Sequence, residues 1–104
     1  MLNLTPHSIT VQRLDGTRVT YPASGSLARV ASAEEVVAEI DGVPVIARSL
    51  GAAQGLPEEG VPCIVSAMVL SAVPGRKGVY APDSGPTAIR ENGQVVAVTR
   101  LVAA

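Results

Sequence analysis

The sequence predicts a small, mainly antiparallel β domain, either a barrel or a sandwich of hairpins, with one short helix near residues 66–73. Alternating apolar and polar runs are separated by Asp15-Gly16, Asp41-Gly42 and Asn92-Gly93. Such pairs indicate hairpin turns, because glycine adopts positive φ without strain. The chain has no Phe, no Trp and only two Tyr. Its core must therefore be built from aliphatic residues, and β-branched side chains suit a sheet.

The N-terminal residues are predicted to form a β-meander. A strand over 8–13 turns at Asp15-Gly16 and returns over 17–21. The segment 22–25, with its Pro and Gly, turns the chain again into a strand over 27–30. Three consecutive short strands of this kind are typical of an all-β domain.

The middle of the chain is less clear. Residues 33–40 permit a helix, but Asp41-Gly42 followed by the apolar run 43–48 favours a second hairpin. Pro44 lacks an N–H donor, so its strand should lie at an edge. Residues 49–60 contain three Gly and one Pro and are predicted to be a loop.

The C-terminal half is predicted to contain a buried strand, a helix and a closing hairpin. Residues 61–65 form the strand, and Ser66 is a suitable N-cap for two helical turns, although a continued strand fits the same pattern. A long loop covers 75–86, with a β-like stretch at its centre. The hairpin over 87–102 turns at Asn-Gly.

Length and charge limit the possible functions. The 104 residues correspond to one domain over 1–104, and the net charge of −1 has no basic stripe. We therefore expect no binding to duplex nucleic acid and no polybasic membrane contact. The start has no signal-peptide pattern, and the lone Cys63 is expected to be a buried hydrophobe in a reducing cytoplasm. A core without large aromatics predicts a homo-oligomer.

Six short segments, spread over nearly the whole chain, form a characteristic arrangement. They are Asn3-Leu4-Thr5-Pro6-His7, Pro22-Ala23-Ser24-Gly25, Ala28-Arg29-Val30, Ile64-Val65-Ser66, Arg76 to Pro82, and Ile89-Arg90 with Gly93. This arrangement resembles a family of small proteins encoded by tailed phages and prophages. The resemblance implies a phage or prophage origin, in the cytoplasm of a bacterial host, without implying a catalytic activity. The family often has Asp where this chain has Gly78, so any role of that carboxylate is absent here or passes to Asp83.

No residue pattern predicts catalysis, a metal site or a cofactor. The single His, the single Cys and the scattered carboxylates have no metal-ligand spacing. Ser66 and Cys63 lack the local signature of a nucleophile. His7 follows a rigid Thr-Pro pair and is either a ligand contact, a general base or a structural histidine at a strand entry. We therefore expect a protein that is not an enzyme and needs no cofactor.

The strongest chemical pattern is a glycine-bearing loop with basic residues. Arg76, Lys77 and Arg90, with Asp83 and Ser84, could surround an anion, since arginine offers a bidentate fork to phosphate or carboxylate. The alternative is a solvated loop whose charges keep the domain soluble. The predicted ligand-binding residues are His7, Arg29, Ser66, Arg76, Lys77, Asp83 and Arg90.

Two functions follow as hypotheses. The first is a non-enzymatic, homo-oligomeric binding module that sequesters an anionic, nucleotide-like immune signal on behalf of a phage. The alternative is a minor virion component, an assembly factor or another protein-interaction protein. An enzyme acting through His7 ranks last, because nothing in the sequence surrounds this histidine with a nucleophile and an orienting group.

Overall fold

The structure, a computed structural model, describes all 104 residues. The protein is mainly β with one short helix, as predicted, and its hairpins form sandwich-like sheets that do not close into a barrel. The elements are β1 (Leu2–Asn3), β2 (Ile9–Gln12), β3 (Arg18–Tyr21), β4 (Arg29–Ile40), β5 (Val43–Gln54), β6 (Cys63–Ile64), α1 (Ala67–Ala72), β7 (Val79–Pro82), β8 (Ile89–Glu91), β9 (Gln94–Ala97) and β10 (Leu101–Ala103).

The core lies in a four-stranded sheet of order β1-β6-β7-β10. Strands β1, β6 and β7 run parallel and β10 runs antiparallel, so this sheet is mixed, and its parallel pairs are a feature that the sequence did not indicate. The parallel pairing of β6 with β7 follows from α1, since parallel neighbours need a crossover connection. The buried cluster at this sheet consists of Leu4, Cys63, Val65, Val69 and Val79.

Two short hairpins, β2–β3 and β8–β9, lie beside this sheet. Backbone hydrogen bonds at Val98 join the two hairpins. The Gln12 N–H donates to the Val98 carbonyl (2.8 Å), and the Val98 N–H donates to the Thr10 carbonyl (2.9 Å). The Asn92-Gly93 turn has positive φ at both residues (52° and 79°), as a primed turn requires. At Asp15-Gly16 only the glycine has positive φ, so this hairpin has the wider loop with a left-handed glycine rather than a primed turn.

Strands β4 and β5 pair over twelve residues each and form a long two-stranded hairpin, hereafter the arm (residues 29–54). Residues 33–40 are thus strand, and Asp41-Gly42 forms the arm's turn with φ of 53° and 76°. The predicted loop over 49–60 is wrong for residues 49–54, which continue β5 because they pair with the start of β4. Pro44 lies in a two-stranded sheet, where its missing donor can face outwards.

The arm makes the molecule unusually extended for its length. The radius of gyration is 16.2 Å, whereas a globular domain of this length has about 13 Å. The longest dimension is 51 Å, and only 11 of the 104 residues are buried. The body (residues 1–28 and 55–104) therefore contains the core, and the arm extends from it with little packing of its own.

Candidate functional site

Asp83 and Arg90 lie in the same loop, and their side chains form hydrogen bonds to its backbone. The Asp83 carboxylate accepts a hydrogen bond from the backbone N–H of Gly85 (3.0 Å) and pairs with Arg100 (Nε to Oδ2, 2.5 Å). Both contacts hold the pKa of Asp83 below its ordinary value, the bond from Arg100 most of all. The Arg90 guanidinium donates to the carbonyls of Ser84 (2.6 Å) and Gly85 (3.1 Å). The charged groups thus hold residues 83–90 in shape.

Arg76 and Lys77 lie at a second loop. Arg76 donates to the carbonyl of Pro57 (2.7 Å), and the backbone N–H of Lys77 donates to the Glu59 carboxylate (3.3 Å). Between the two loops Gly78 has a φ of 83°, and a Cβ there would lie 2.8 Å from the carbonyl oxygen of Val61. Position 78 therefore accepts no side chain unless the neighbouring backbone shifts.

Ser66 caps the helix, as the sequence predicts. Its hydroxyl accepts a hydrogen bond from the backbone N–H of Val69 (3.3 Å). Arg29 stands exposed at the first position of β4 and has no hydrogen bond or ion pair within the chain.

His7 contributes to the fold through its backbone carbonyl. The His7 carbonyl accepts from the Asn3 side-chain amide (2.8 Å) and from the Thr5 hydroxyl (3.0 Å), while the residue itself is exposed. Asn3 is buried and makes four hydrogen bonds: its amide also donates to the Tyr21 carbonyl, and its oxygen accepts from the N–H and hydroxyl of Thr5. The Asn3 side chain thus connects β1 with the turn at His7 and with Tyr21 at the end of β3.

No hydrogen bond or ion pair joins any two of the seven predicted ligand residues. A concave cavity of about 250 Å³ lies between β2, β7 and β9. Its lining is neutral and contains none of the seven, so it offers no charge-assisted hydrogen bond to an anion. The lining residues are Ser8, Ile9, Thr10, Pro82, Ser84 and Val95 to Val98.

The arm presents a surface that the sequence analysis missed. Five of its branched aliphatic side chains are between 43% and 67% exposed, and they are Val36, Val37, Ile40, Val43 and Ile46. Cross-strand partners share a face, so Ile40 and Val43 lie on one face and Val36 and Ile46 lie on the other. Apolar residues on both faces of a hairpin with no third strand are the signal that could have revealed this surface.

The charge of the arm differs from that of the body. The arm has two basic and four acidic residues, a net charge of −2, and the body has six basic and five acidic residues, a net charge of +1. Arg48 and Glu34 form a cross-strand pair at 2.8 Å on an exposed face. Glu39 and Asp41 flank the apolar tip residue Ile40, so the tip is both apolar and acidic.

The remaining reactive group is inaccessible. Cys63 is fully buried in the central sheet, as predicted, and burial raises the pKa of its thiol, with a smaller opposing effect from the Arg76 charge. No three His, Cys, Asp or Glu side chains lie together as a metal site would need. The helix is too short to cross a bilayer. Comparisons with protein-family models, curated proteins and solved structures found no match for this chain.

Proposed function

We propose that the protein is a non-enzymatic protein-interaction module that docks through its arm. The observation that carries this proposal is the exposure of five aliphatic side chains on both faces of a hairpin that has no third strand, beyond the base where Val30 and Ala53 pack against the core. Exposed apolar side chains that cluster, as they do on each face of the arm, are characteristic of an interaction site. An isolated two-stranded hairpin is also only marginally stable in water. A partner that covers the arm would therefore both bind it and hold it in shape.

The magnitude of this burial limits the kind of interface. Fully burying an aliphatic side chain is worth about 1.5–3 kcal/mol, so covering the exposed half of five such chains gives about 4–8 kcal/mol. Association itself costs about 4–15 kcal/mol in lost freedom. The five side chains alone would support only weak binding, so a stable complex needs the rest of the arm or a second arm in the interface.

The resemblance to small phage proteins supports an assembly role in that setting, such as an assembly factor or a minor virion component. The test is photo-crosslinking from a benzophenone amino acid at Ile40, with the same group at Val102 as the control. Val102 is an exposed aliphatic residue of the body, on the edge strand β10. We expect a discrete protein adduct from position 40 and little from position 102. Equal yields from both positions would refute docking through the arm.

A second candidate function is the binding of an anionic, nucleotide-like ligand. Two cations favour it, because the Arg29 guanidinium and the Lys77 ammonium make no hydrogen bond or ion pair within the chain. Thermal unfolding with cyclic nucleotides and ADP-ribose derivatives tests this proposal. A ligand at 100 times its Kd adds about 2.7 kcal/mol of stability, so a set of unchanged melting temperatures would contradict it.

A further inference from the structure

We propose that the partner of the arm is a second copy of this chain, with each arm lying on the body of the other copy. This inference rests on the proposed function, since it names the occupant of the same surface. In the proposed dimer the two copies are related by a two-fold axis, so that each arm is covered by the body of the other copy.

The surface area of the chain matches what a stable dimer needs. The accessible surface is 6804 Å² for a mass of 10.6 kDa, whereas a compact monomer of this mass exposes about 5,500 Å², so the excess is about 1,300 Å². A standard stable interface takes about 800 Å² from each partner. The excess surface of one copy is thus sufficient for one full interface.

Charge favours contact between arm and body over contact between two arms. The arm carries −2 and the body +1. Packing one acidic tip against another would place Glu39 and Asp41 beside their own copies, which is unfavourable. The body offers exposed cations on the β2–β3 hairpin, Arg13 and Arg18, whose guanidinium groups make no ion pair. The acidic tip therefore finds opposite charge on the β2–β3 hairpin of another copy.

The arm's edges disfavour the simplest alternative, which is strand addition into a continuous sheet. Pro44 removes a donor from the edge of β5, and the register of β4 shifts between Val36 and Ala38. Proline and bulges on an edge strand impede pairing with a further strand. The faces of the arm, with their aliphatic side chains, remain as the surface that can pack.

The mass of the purified chain in solution tests the inference, measured by light scattering and sedimentation over a range of concentrations. We expect twice the chain mass of 10.6 kDa. The double variant Ile40→Thr/Val43→Thr keeps β-branched residues and removes apolar surface, so its dimer Kd should rise at least tenfold. The control Val102→Thr makes the same kind of change at an exposed aliphatic residue of the body, away from the β2–β3 hairpin, and should dimerise like the natural chain. Circular dichroism checks that each variant is folded.

The outcomes separate this inference from the proposed function. A natural chain of 10.6 kDa at every concentration would overturn the second copy as partner. If position 40 still crosslinked to another protein in that case, the proposed function would stand. No crosslink from position 40 would refute both. A dimer that dissociates in Val102→Thr as readily as in the arm variant would also overturn the inference, as would a dimer whose dissociation constant is unchanged by Glu39→Gln/Asp41→Asn.

Discussion

Asn3 provides the sharpest test of how the body is held together. Replacing it with Asp preserves the shape of the side chain and the oxygen that accepts from Thr5. It removes the amide that donates to the His7 and Tyr21 carbonyls, each at 2.8 Å. A carboxylate oxygen would then face two carbonyl oxygens at a position where the residue is 1% exposed. Two hydrogen bonds become two repulsive contacts.

The expected loss is large compared with the stability of the domain. Each lost hydrogen bond that leaves a buried partner unsatisfied costs about 1–3 kcal/mol, so Asn3→Asp should cost about 2–6 kcal/mol before the buried charge is counted. A domain of this length is stable by about 5–15 kcal/mol in total. Its small aliphatic core places it toward the lower end of that range. The variant should therefore be partly unfolded at neutral pH.

The measurement is urea unfolding followed by far-UV circular dichroism at one fixed protein concentration. Asn92→Asp is the matched control, because Asn92 is exposed in a turn where Asp is also tolerated. In Asn3→Asp the folded state should raise the pKa of the new carboxyl. Its protonated form is then favoured by folding, so stability should be fully regained below the ordinary carboxyl pKa and lost as pH rises from that value through the raised pKa of the folded state. A midpoint equal to that of Asn92→Asp at pH 7 would refute the role of Asn3.

Three further results are expected. Gly78→Ala should destabilise the fold by more than Gly75→Ala in urea unfolding: both have positive φ, but only at Gly78 would a Cβ lie within 3 Å of backbone; equal effects would contradict this. Cys63 should resist a thiol reagent in the folded protein and react in denaturant, since it is buried with a raised pKa; fast native labelling would contradict this. The pKa of Asp83 is lowered by Arg100, so its contribution is present above the ordinary carboxyl pKa and lost as pH falls through the lowered value; Asp83→Asn should flatten that acid limb of the stability profile.

The turns and the helix start were predictable because their causes are local. Asp41-Gly42 and Asn92-Gly93 adopt positive φ in the two primed turns that the dipeptides indicate. Ser66 accepts from a backbone N–H three residues later, as an N-cap does. In each case the residue types and the geometry they support lie within four consecutive positions, so no distant partner is needed to read them.

The rest depended on partners far away in sequence. Residues 49–54 have a loop-like composition, yet they form strand because β4 supplies a partner for their backbone. The parallel pairing of β1 with β6 joins positions about sixty residues apart, and no local pattern encodes it. The predicted anion-binding residues make no hydrogen bonds with one another for a related reason. Arg76 and Arg90 find carbonyl oxygens of neighbouring loops, and such contacts are decided by the folded backbone.

The absence of large aromatics links the thin core to the exposed arm. With nine buried apolar residues, of which the largest are Ile and Leu, the body has little stability in excess of what its own ordering costs. An arm that stays uncovered would add chain entropy to lose and apolar surface to hydrate, without a compensating core. Covering the arm with a second body turns that apolar surface into a core shared between chains. The apparent stability of the protein should then rise with its concentration, because unfolding and dissociation are coupled.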